Sequence, residues 1–137
     1  RQRQMCIRDR NNVVEEINFI KDLKNQIQTD KRKKMVITHY SFISSILDEN
    51  FLSPSMAYTS DGSIIPLKNN KYSQKYKNLV INLIKKNNVD VIYIVYPVHK
   101  GSIADYLDKS CLKEKLILKG VISYEIKRCK DLIGKNN

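Results

Sequence analysis

The sequence predicts a small α/β sandwich of Rossmann-like type, with a short, mostly parallel sheet and helices packed on it. Segments with helical periodicity alternate along the chain with short runs rich in β-branched residues. The length of 137 residues is enough for one hydrophobic core of ordinary size. Apolar residues at 42% and charged residues at 28% exclude a disordered or collagen-like chain.

The first ten residues differ in composition from the rest of the chain. They hold four of the six arginines and look like translated adapter remnants at the start of an open reading frame, so we treat residues 1–10 as a non-native prefix. Without those arginines and Asp9, the formal net charge falls by three, from +11 to +8. Two explanations of this positive charge are open. One is an AT-rich genome, because Lys, Asn and Ile have AT-rich codons, and the other is selection for binding to an acidic partner. Residues 11–137 are expected to form a single α/β domain.

The first half of this domain predicts a helix, a strand and a second helix. Apolar residues at helical spacing predict an amphipathic helix over residues 11–28. The run 35–38 is typical of a buried strand. Ser41 is a candidate N-cap for a helix that ends near Asn50. Residues 51–70 have no sustained period, and Asp61-Gly62 within them indicates a short hairpin.

The second half predicts a helix over residues 71–86 and a strand over 89–96, which Pro97 ends. A short helix follows near Ser102, and the run 116–118 is too short to classify. Residues 121–127 alternate between apolar and polar side chains, which is typical of a half-exposed edge strand. We expect the first two strands to be parallel, joined by a right-handed crossover.

Both histidines follow the two best strands, where open α/β sheets place their ligand sites. If those strands are neighbours, one crevice at their carboxyl ends contains the histidines and three adjacent polar residues: His39, Tyr40, Ser41, His99 and Lys100. Histidine is the natural acid and base near neutral pH, although a purely structural role for both residues is the commoner case.

Familiar catalytic and cofactor motifs do not occur in the sequence. The four glycines are isolated, so neither dinucleotide nor P-loop patterns are formed, and a GxSxG nucleophile elbow is missing. No His or Cys cluster has metal-ligand spacing. We therefore predict no cofactor, no metal and no catalytic residue in this chain.

The predicted helix 71–86 is basic and contains no acid. Its lysines are candidates for contact with an anionic lipid surface: Lys71, Lys75, Lys77, Lys85 and Lys86. Solvated lysines are the simpler explanation, and nucleic acid is disfavoured because Arg is nearly absent and no binding motif occurs. The chain has no apolar run of bilayer-spanning length and no signal-peptide pattern, so we expect a soluble isolated chain.

Two cysteines remain outside the prefix, Cys111 and Cys129. Their spacing fits two buried thiols in a reducing compartment and equally fits one disulfide in an oxidising compartment.

A set of strings spread over the domain is distinctive when taken together: MVITHYSFISSIL (35–47), LSPSMAYTSDGS (52–63), NNKYSQKYKNLVINLIKKNNVDVIYIVYPV (69–98), Cys111 and RCKDL (128–132). The set resembles the C-terminal soluble region of bacterial polytopic membrane glycosyltransferases of the C superfamily, which are similar to the dolichyl-phosphate-mannose protein mannosyltransferases. Such proteins take sugar from a polyprenyl-phosphate donor and place an α/β tail outside the cytoplasmic membrane.

The resemblance implies that the chain is a fragment of a larger membrane protein, with the membrane-spanning region of that protein as its partner. It implies an extracytoplasmic, non-catalytic accessory domain, because the catalytic acids of the family lie in its membrane region. It also implies a disulfide between Cys111 and Cys129, and an arginine at the position of Met56. The alternative is a free-standing cytosolic α/β domain that binds a small anionic ligand at the carboxyl ends of its strands.

Overall fold

The computed structural model describes residues 13–56, 58 and 64–127. The chain divides into two compact units between Lys31 and Arg32. Among the described residues, the first unit contains one helix, and the second contains a four-stranded sheet with three further helices and a 3₁₀ turn. In chain order the elements are α1 (Val13–Thr29), β1 (Lys34–Ile37), α2 (Ile43–Leu47), α3 (Ser73–Asn87), β2 (Val91–Val95), α4 (Gly101–Ala104), the 3₁₀ turn (Lys109–Cys111), β3 (Leu112–Leu118) and β4 (Val121–Ile126).

Helix α1 confirms the prediction from its apolar spacing. Leu23 and Ile27 are its fully buried side chains, whereas Val14 on another face is 72% exposed. Glu15 and Glu16 lie in the first turn, where negative charge interacts favourably with the helix dipole. None of the helices in the described part of the chain is long and apolar enough to cross a bilayer.

The sheet has the strand order β1-β2-β4-β3. Strands β1 and β2 are parallel, with Met35 opposite Ile92, so the expected parallel pair is confirmed. The expectation of a mostly parallel sheet is wrong, because β2 with β4 and β4 with β3 are antiparallel. Only the two residues Lys119 and Gly120 join β3 to β4, and a connection this short permits only an antiparallel pair. Gly120 supplies the positive φ of 85° in that turn.

Strand β4 is where the alternation predicted a strand, but it is not the edge strand expected there. It lies inside the sheet between β2 and β3, and β3 is the exposed edge. The run Lys113-Glu114-Lys115 concealed β3 from sequence inspection, since it lacks the apolar and β-branched residues that indicate strands. Charged residues are typical of edge strands because they oppose pairing with other chains.

The other end of the sheet is covered by the chain itself. Val36 N donates to Phe51 O at 3.1 Å, and Tyr58 N donates to Thr38 O at 3.1 Å. Residues of the long connection thus pair with the backbone at β1. The hairpin predicted around Asp61-Gly62 lies outside the described residues.

Helix α3 packs the principal core against one face of the sheet. The core is made of buried apolar side chains from β1, β2 and α3: Met35, Ile37, Ile92, Ile94, Val80, Ile81 and Ile84. Asn88, in the left-handed conformation, ends α3 by donating its N–H to Ile84 O and Lys85 O. Helix α2 is shorter than predicted and starts after Phe42, which makes no side-chain cap, so Ser41 is not its N-cap.

Candidate functional site

A polar cleft of about 270 Å³ lies beside the antiparallel strands in the second unit. Its walls come from the segment after β2, from α4, and from the inward faces of β3 and β4. The lining residues are His99, Lys100, Gly101, Ala104, Asp105, Lys109, Leu112, Glu114 and Tyr124. The cleft therefore combines titratable side chains with a small apolar surface.

Strand register places the central hydrogen bond of the cleft. Glu114 on β3 lies directly opposite Tyr124 on β4, so both side chains project from the same face of the sheet. The Tyr124 hydroxyl donates to Glu114 Oε2 at 2.8 Å. Lys100 Nζ lies 3.5 Å from the other carboxylate oxygen, Oε1. The carboxylate of Glu114 is thus held between a phenol and an ammonium group.

Asp105 is the second carboxylate of the cleft. Lys68 Nζ lies 3.8 Å from its Oδ2, and Lys109 Nζ lies 3.9 Å from its Oδ1. A Cβ atom added to Gly101 would approach Asp105 Oδ2 to 2.6 Å, which is far inside ordinary contact distance. Because Gly101 has no side chain, the carboxylate of Asp105 can occupy the space beside it.

His99 is oriented by the backbone of α4. Its Nδ1 accepts a hydrogen bond from Gly101 N at 3.0 Å. A neutral His99 in this arrangement carries its proton on Nε2, because Nδ1 is the acceptor. The imidazole accordingly offers one N–H donor to a molecule in the cleft.

Side chains of both charges lie together in the cleft. Two lysines, Lys100 and Lys109, face two carboxylates, Asp105 and Glu114, within the lining. Burial raises the pKa of Tyr124 above its ordinary value of 10.0, and the hydrogen bond to Glu114 and its negative charge raise it further. The phenol therefore stays protonated and remains a donor throughout the physiological range. The lining can donate and accept hydrogen bonds, and it shows no activated nucleophile.

Two of the five residues that the sequence placed in one crevice line this cleft. His99 and Lys100 line the cleft, whereas His39, Tyr40 and Ser41 are not among its lining residues. The ring of His39 lies 3.8 Å from that of Tyr40, centroid to centroid, and Tyr40 N donates a hydrogen bond to Thr38 Oγ1 at 3.0 Å. These residues form a tight turn directly after β1.

The lysines of the predicted lipid-facing set lie on or just before α3. Lys75, Lys85 and Lys86 are exposed, and Lys77 is half-buried. Lys71 Nζ lies 4.9 Å from the centroid of the Tyr72 ring, a cation–π contact. The described side chains form no ion pair with these five lysines, and α3 itself contains no acidic residue. Within the described residues, no ion pair therefore compensates the positive charge of the helix.

Cys111 is 1% exposed, at the end of the 3₁₀ turn. Cys129 and the RCKDL string lie outside the described residues, so the disulfide between Cys111 and Cys129 stays a prediction. The prefix 1–10 also lies outside them. Met56, where the resemblance implied arginine, is 92% exposed.

Sequence inspection missed the cleft residues Asp105, Lys109, Glu114 and Tyr124. For Glu114 the sequence contains one signal, the period-two spacing of Leu112, Glu114 and Leu116, which places these three residues on one face of a strand. That signal is weak because the neighbouring charges resemble a solvated loop. Only the pairing of β3 with β4 brings Glu114 to Tyr124.

Within residues 13–56, 58 and 64–127, no group of three or more His, Cys, Asp or Glu side chains is arranged to hold a metal ion. Comparisons with known proteins were made by family, by sequence and by structure. No protein-family model, curated protein or solved structure matches the chain.

Proposed function

We propose that this α/β domain is a non-catalytic accessory domain of a bacterial membrane glycosyltransferase that uses a lipid-linked sugar. Its place is the extracytoplasmic face of the cytoplasmic membrane, against the membrane-spanning region of the parent protein. The proposal takes the parent class from the resemblance of the sequence strings. Its physical support is the charge of α3.

The observation that carries the proposal is the uncompensated basic surface of α3. Five exposed residues lie on one side of the helix, because their spacing of three, four, three and one residues follows the helical period. They are Lys75, Asn78, Asn82, Lys85 and Lys86. No acid interrupts this surface. Each lysine near anionic headgroups contributes about 1 kcal/mol to the free energy of membrane binding, so the three lysines together contribute about 3 kcal/mol.

Flotation with lipid vesicles tests this orientation. The full chain should bind vesicles of phosphatidylglycerol and phosphatidylcholine at low salt, and should not bind phosphatidylcholine alone. The triple variant Lys75→Gln, Lys85→Gln, Lys86→Gln should weaken binding by about 100-fold, since three contributions of about 1 kcal/mol are removed.

A matched variant controls for net charge. Lys113, Lys115 and Lys127 are equally exposed lysines near the edge strand, and their replacement by Gln removes the same three charges. It should weaken vesicle binding by less than about threefold, because long-range charge is screened. Equal losses in the two variants would show that no particular surface is used.

The non-catalytic role has a separate test. The chain should fold and yet transfer no sugar from a polyprenyl-phosphate donor to any acceptor, because the cleft contains no activated nucleophile and both of its carboxylates face lysines. Turnover by the purified chain would overturn this part of the proposal.

The extracytoplasmic location has a redox test. Export of the chain to an oxidising compartment should join Cys111 to Cys129, and alkylation mass spectrometry with and without reductant counts the thiols. Reduction should cost about 3 kcal/mol of stability in the chain-entropy model, because the bridge closes a loop of about 18 residues. The bridged chain should show one alkylated thiol without reductant, that of Cys6, and three alkylated thiols would remove support for this location.

The second candidate is a free-standing cytosolic domain that binds a small anionic ligand beside its strands. Two of the five residues predicted for that ligand, His99 and Lys100, line one cleft. Inorganic phosphate should then raise the melting temperature, and Lys100→Gln should remove the rise. Replacing His39 by Ala should have the same effect only if the crevice extends to the turn after β1.

A further inference from the structure

The polar cleft has features that select its ligand, and they are independent of the membrane-facing lysines. Both carboxylates of its lining already pair with lysines: Glu114 with Lys100, and Asp105 with Lys109 and Lys68. An anion in the cleft would therefore meet Asp105 and Glu114 as well as the lysines, and would be repelled by the former. The cleft thus disfavours a phosphate or a simple carboxylate.

The ion pairs of the cleft are loose. Lys100 lies 3.5 Å from Glu114, and Lys109 and Lys68 lie 3.9 and 3.8 Å from Asp105. Direct charge-assisted hydrogen bonds are shorter, about 2.7–2.9 Å. Each pair can therefore exchange its partner for a ligand hydroxyl, which donates to the carboxylate and accepts from the ammonium group at the same time.

Several cleft groups already have fixed positions. Tyr124 is 6% exposed, and its hydroxyl fixes one oxygen of Glu114. His99 keeps Nδ1 engaged with Gly101 N and presents its Nε2–H as a donor. Ala104 and Leu112 add apolar surface between these polar groups. A ligand with hydroxyl groups around an apolar ring fits this alternation.

We propose that this cleft binds an uncharged, polyhydroxylated ligand of single-ring size, which is a sugar residue. Glu114 and Asp105 accept hydrogen bonds from its hydroxyl groups, Lys100, Lys109 and His99 donate to its oxygens, and Leu112 and Ala104 contact its C–H surface. The volume of about 270 Å³ lies just below the range of about 300–1,000 Å³ usual for drug-sized ligands, which limits the occupant to one ring.

Amide chemical-shift mapping on the full chain tests the proposal. The probes are the methyl glycosides of glucose, mannose and N-acetylglucosamine, each to about 50 mM, a concentration at which a weak complex with Kd in the millimolar range is populated. At least one glycoside should shift the amides of residues 99–105, 112–114 and 124 in a saturable way. Because the ligand is uncharged, its Kd should change less than twofold between low and high salt.

Two variants and one control locate the site. Glu114→Gln should weaken binding about tenfold, since a charged hydrogen-bond acceptor is lost. Gly101→Ala should weaken it as well, because the new methyl group displaces the carboxylate of Asp105. Glu125→Gln is the control: Glu125 is the exposed carboxylate on the opposite face of β4, bound to Arg32 at 3.3 Å. It should leave the Kd unchanged.

Three outcomes would overturn the proposal. The first is that none of the glycosides shifts the cleft amides. The second is that inorganic phosphate shifts the same amides at lower concentration and loses this effect with salt, which would identify an anion site. The third is equal weakening by Glu114→Gln and Glu125→Gln, which would show that binding is not at the cleft. Vesicle binding through α3 is measured separately, so failure of either assay leaves the other interpretable.

Discussion

The two halves of the sheet use their strands differently. One row of residues crosses all four strands in the order Ile37, Ile94, Ile122 and Leu116. Ile37 and Ile94 in the parallel half are 0% and 2% exposed, whereas Leu116 on the antiparallel edge is 68% exposed. The parallel half therefore provides the core, and the antiparallel half provides an accessible surface.

The polar groups follow the same division. Strands β1 and β2 are buried along their whole length on both faces. Strand β3 carries Glu114 into the cleft and exposes lysines on its other face. The exposed side chains of β3 can therefore vary at little cost in stability, which suits a ligand site.

Replacement of Ile94 by Ala should have the largest effect on stability. It removes a buried side chain from the centre of the sheet, so the free energy of unfolding in urea should fall by about 2–5 kcal/mol. Leu116→Ala in the same row should cost less than about 0.5 kcal/mol, because that side chain is already in water. Similar losses for both variants would contradict the division between the halves.

Two residues of another row across the sheet, Lys34 on β1 and Glu125 on β4, form ion pairs of different burial. Lys34 on β1 is 8% exposed and binds Glu49 Oε2 at 2.9 Å. Lys34→Met should lower the free energy of unfolding by about 1–3 kcal/mol, since it leaves a half-buried carboxylate without its cation.

Arg32 and Glu125 are the exposed counterpart, with side chains 42% and 52% exposed. Arg32→Met should cost less than about 1 kcal/mol and should lose even that at high salt. Urea unfolding at two salt concentrations measures both variants. A larger loss for Arg32→Met than for Lys34→Met would reverse the comparison.

Removal of the hydroxyl group should affect the stability of the fold differently at two buried tyrosines, Tyr124 and Tyr58. Tyr124→Phe should destabilise the fold by about 1 kcal/mol, because it removes the hydrogen bond to Glu114. Tyr58→Phe should destabilise it less, since the buried Tyr58 hydroxyl has no hydrogen bond of ordinary geometry with the described residues and interacts only with the nearby Tyr76 and Ser55. Thermal unfolding at pH 7 compares the two, and an equal or larger loss for Tyr58→Phe would contradict this difference.

The same tyrosines predict a loss of stability in alkali. Burial raises the pKa of Tyr58 and of Tyr76 above 10.0, as it does that of Tyr124. The native state therefore holds these protons more tightly than the unfolded state. The contribution of these tyrosines to stability should be constant below about pH 10 and should fall as the pH rises beyond it. Tyr58→Phe should reduce the slope of this fall, and an unchanged slope would exclude Tyr58 as a contributor.

Much of the fold could be predicted from local patterns. Helices α1 and α3 and strands β1 and β2 follow from apolar spacing and β-branched runs, because a long periodic segment has few alternative structures. Their parallel pairing follows from the intervening crossover. The sequence also predicted that His99 and Lys100 belong to a candidate site at the end of β2.

Tertiary structure decided the position of β4, the existence of β3 as the edge and the composition of the cleft. Alternation along β4 cannot distinguish an edge strand from an inner strand, because the pattern reports which faces are buried and not which neighbours are paired. The charges of β3 hide a strand whose stability comes from pairing with β4.

The sequence by itself determined the helices, the buried parallel strands and the basic surface of α3, since each depends on the order of residues within a short segment. Only the folded chain decided that Glu114 meets Tyr124 and that Asp105 lies between two lysines. These contacts join residues from different elements, and their geometry depends on strand order and register, which no single segment contains.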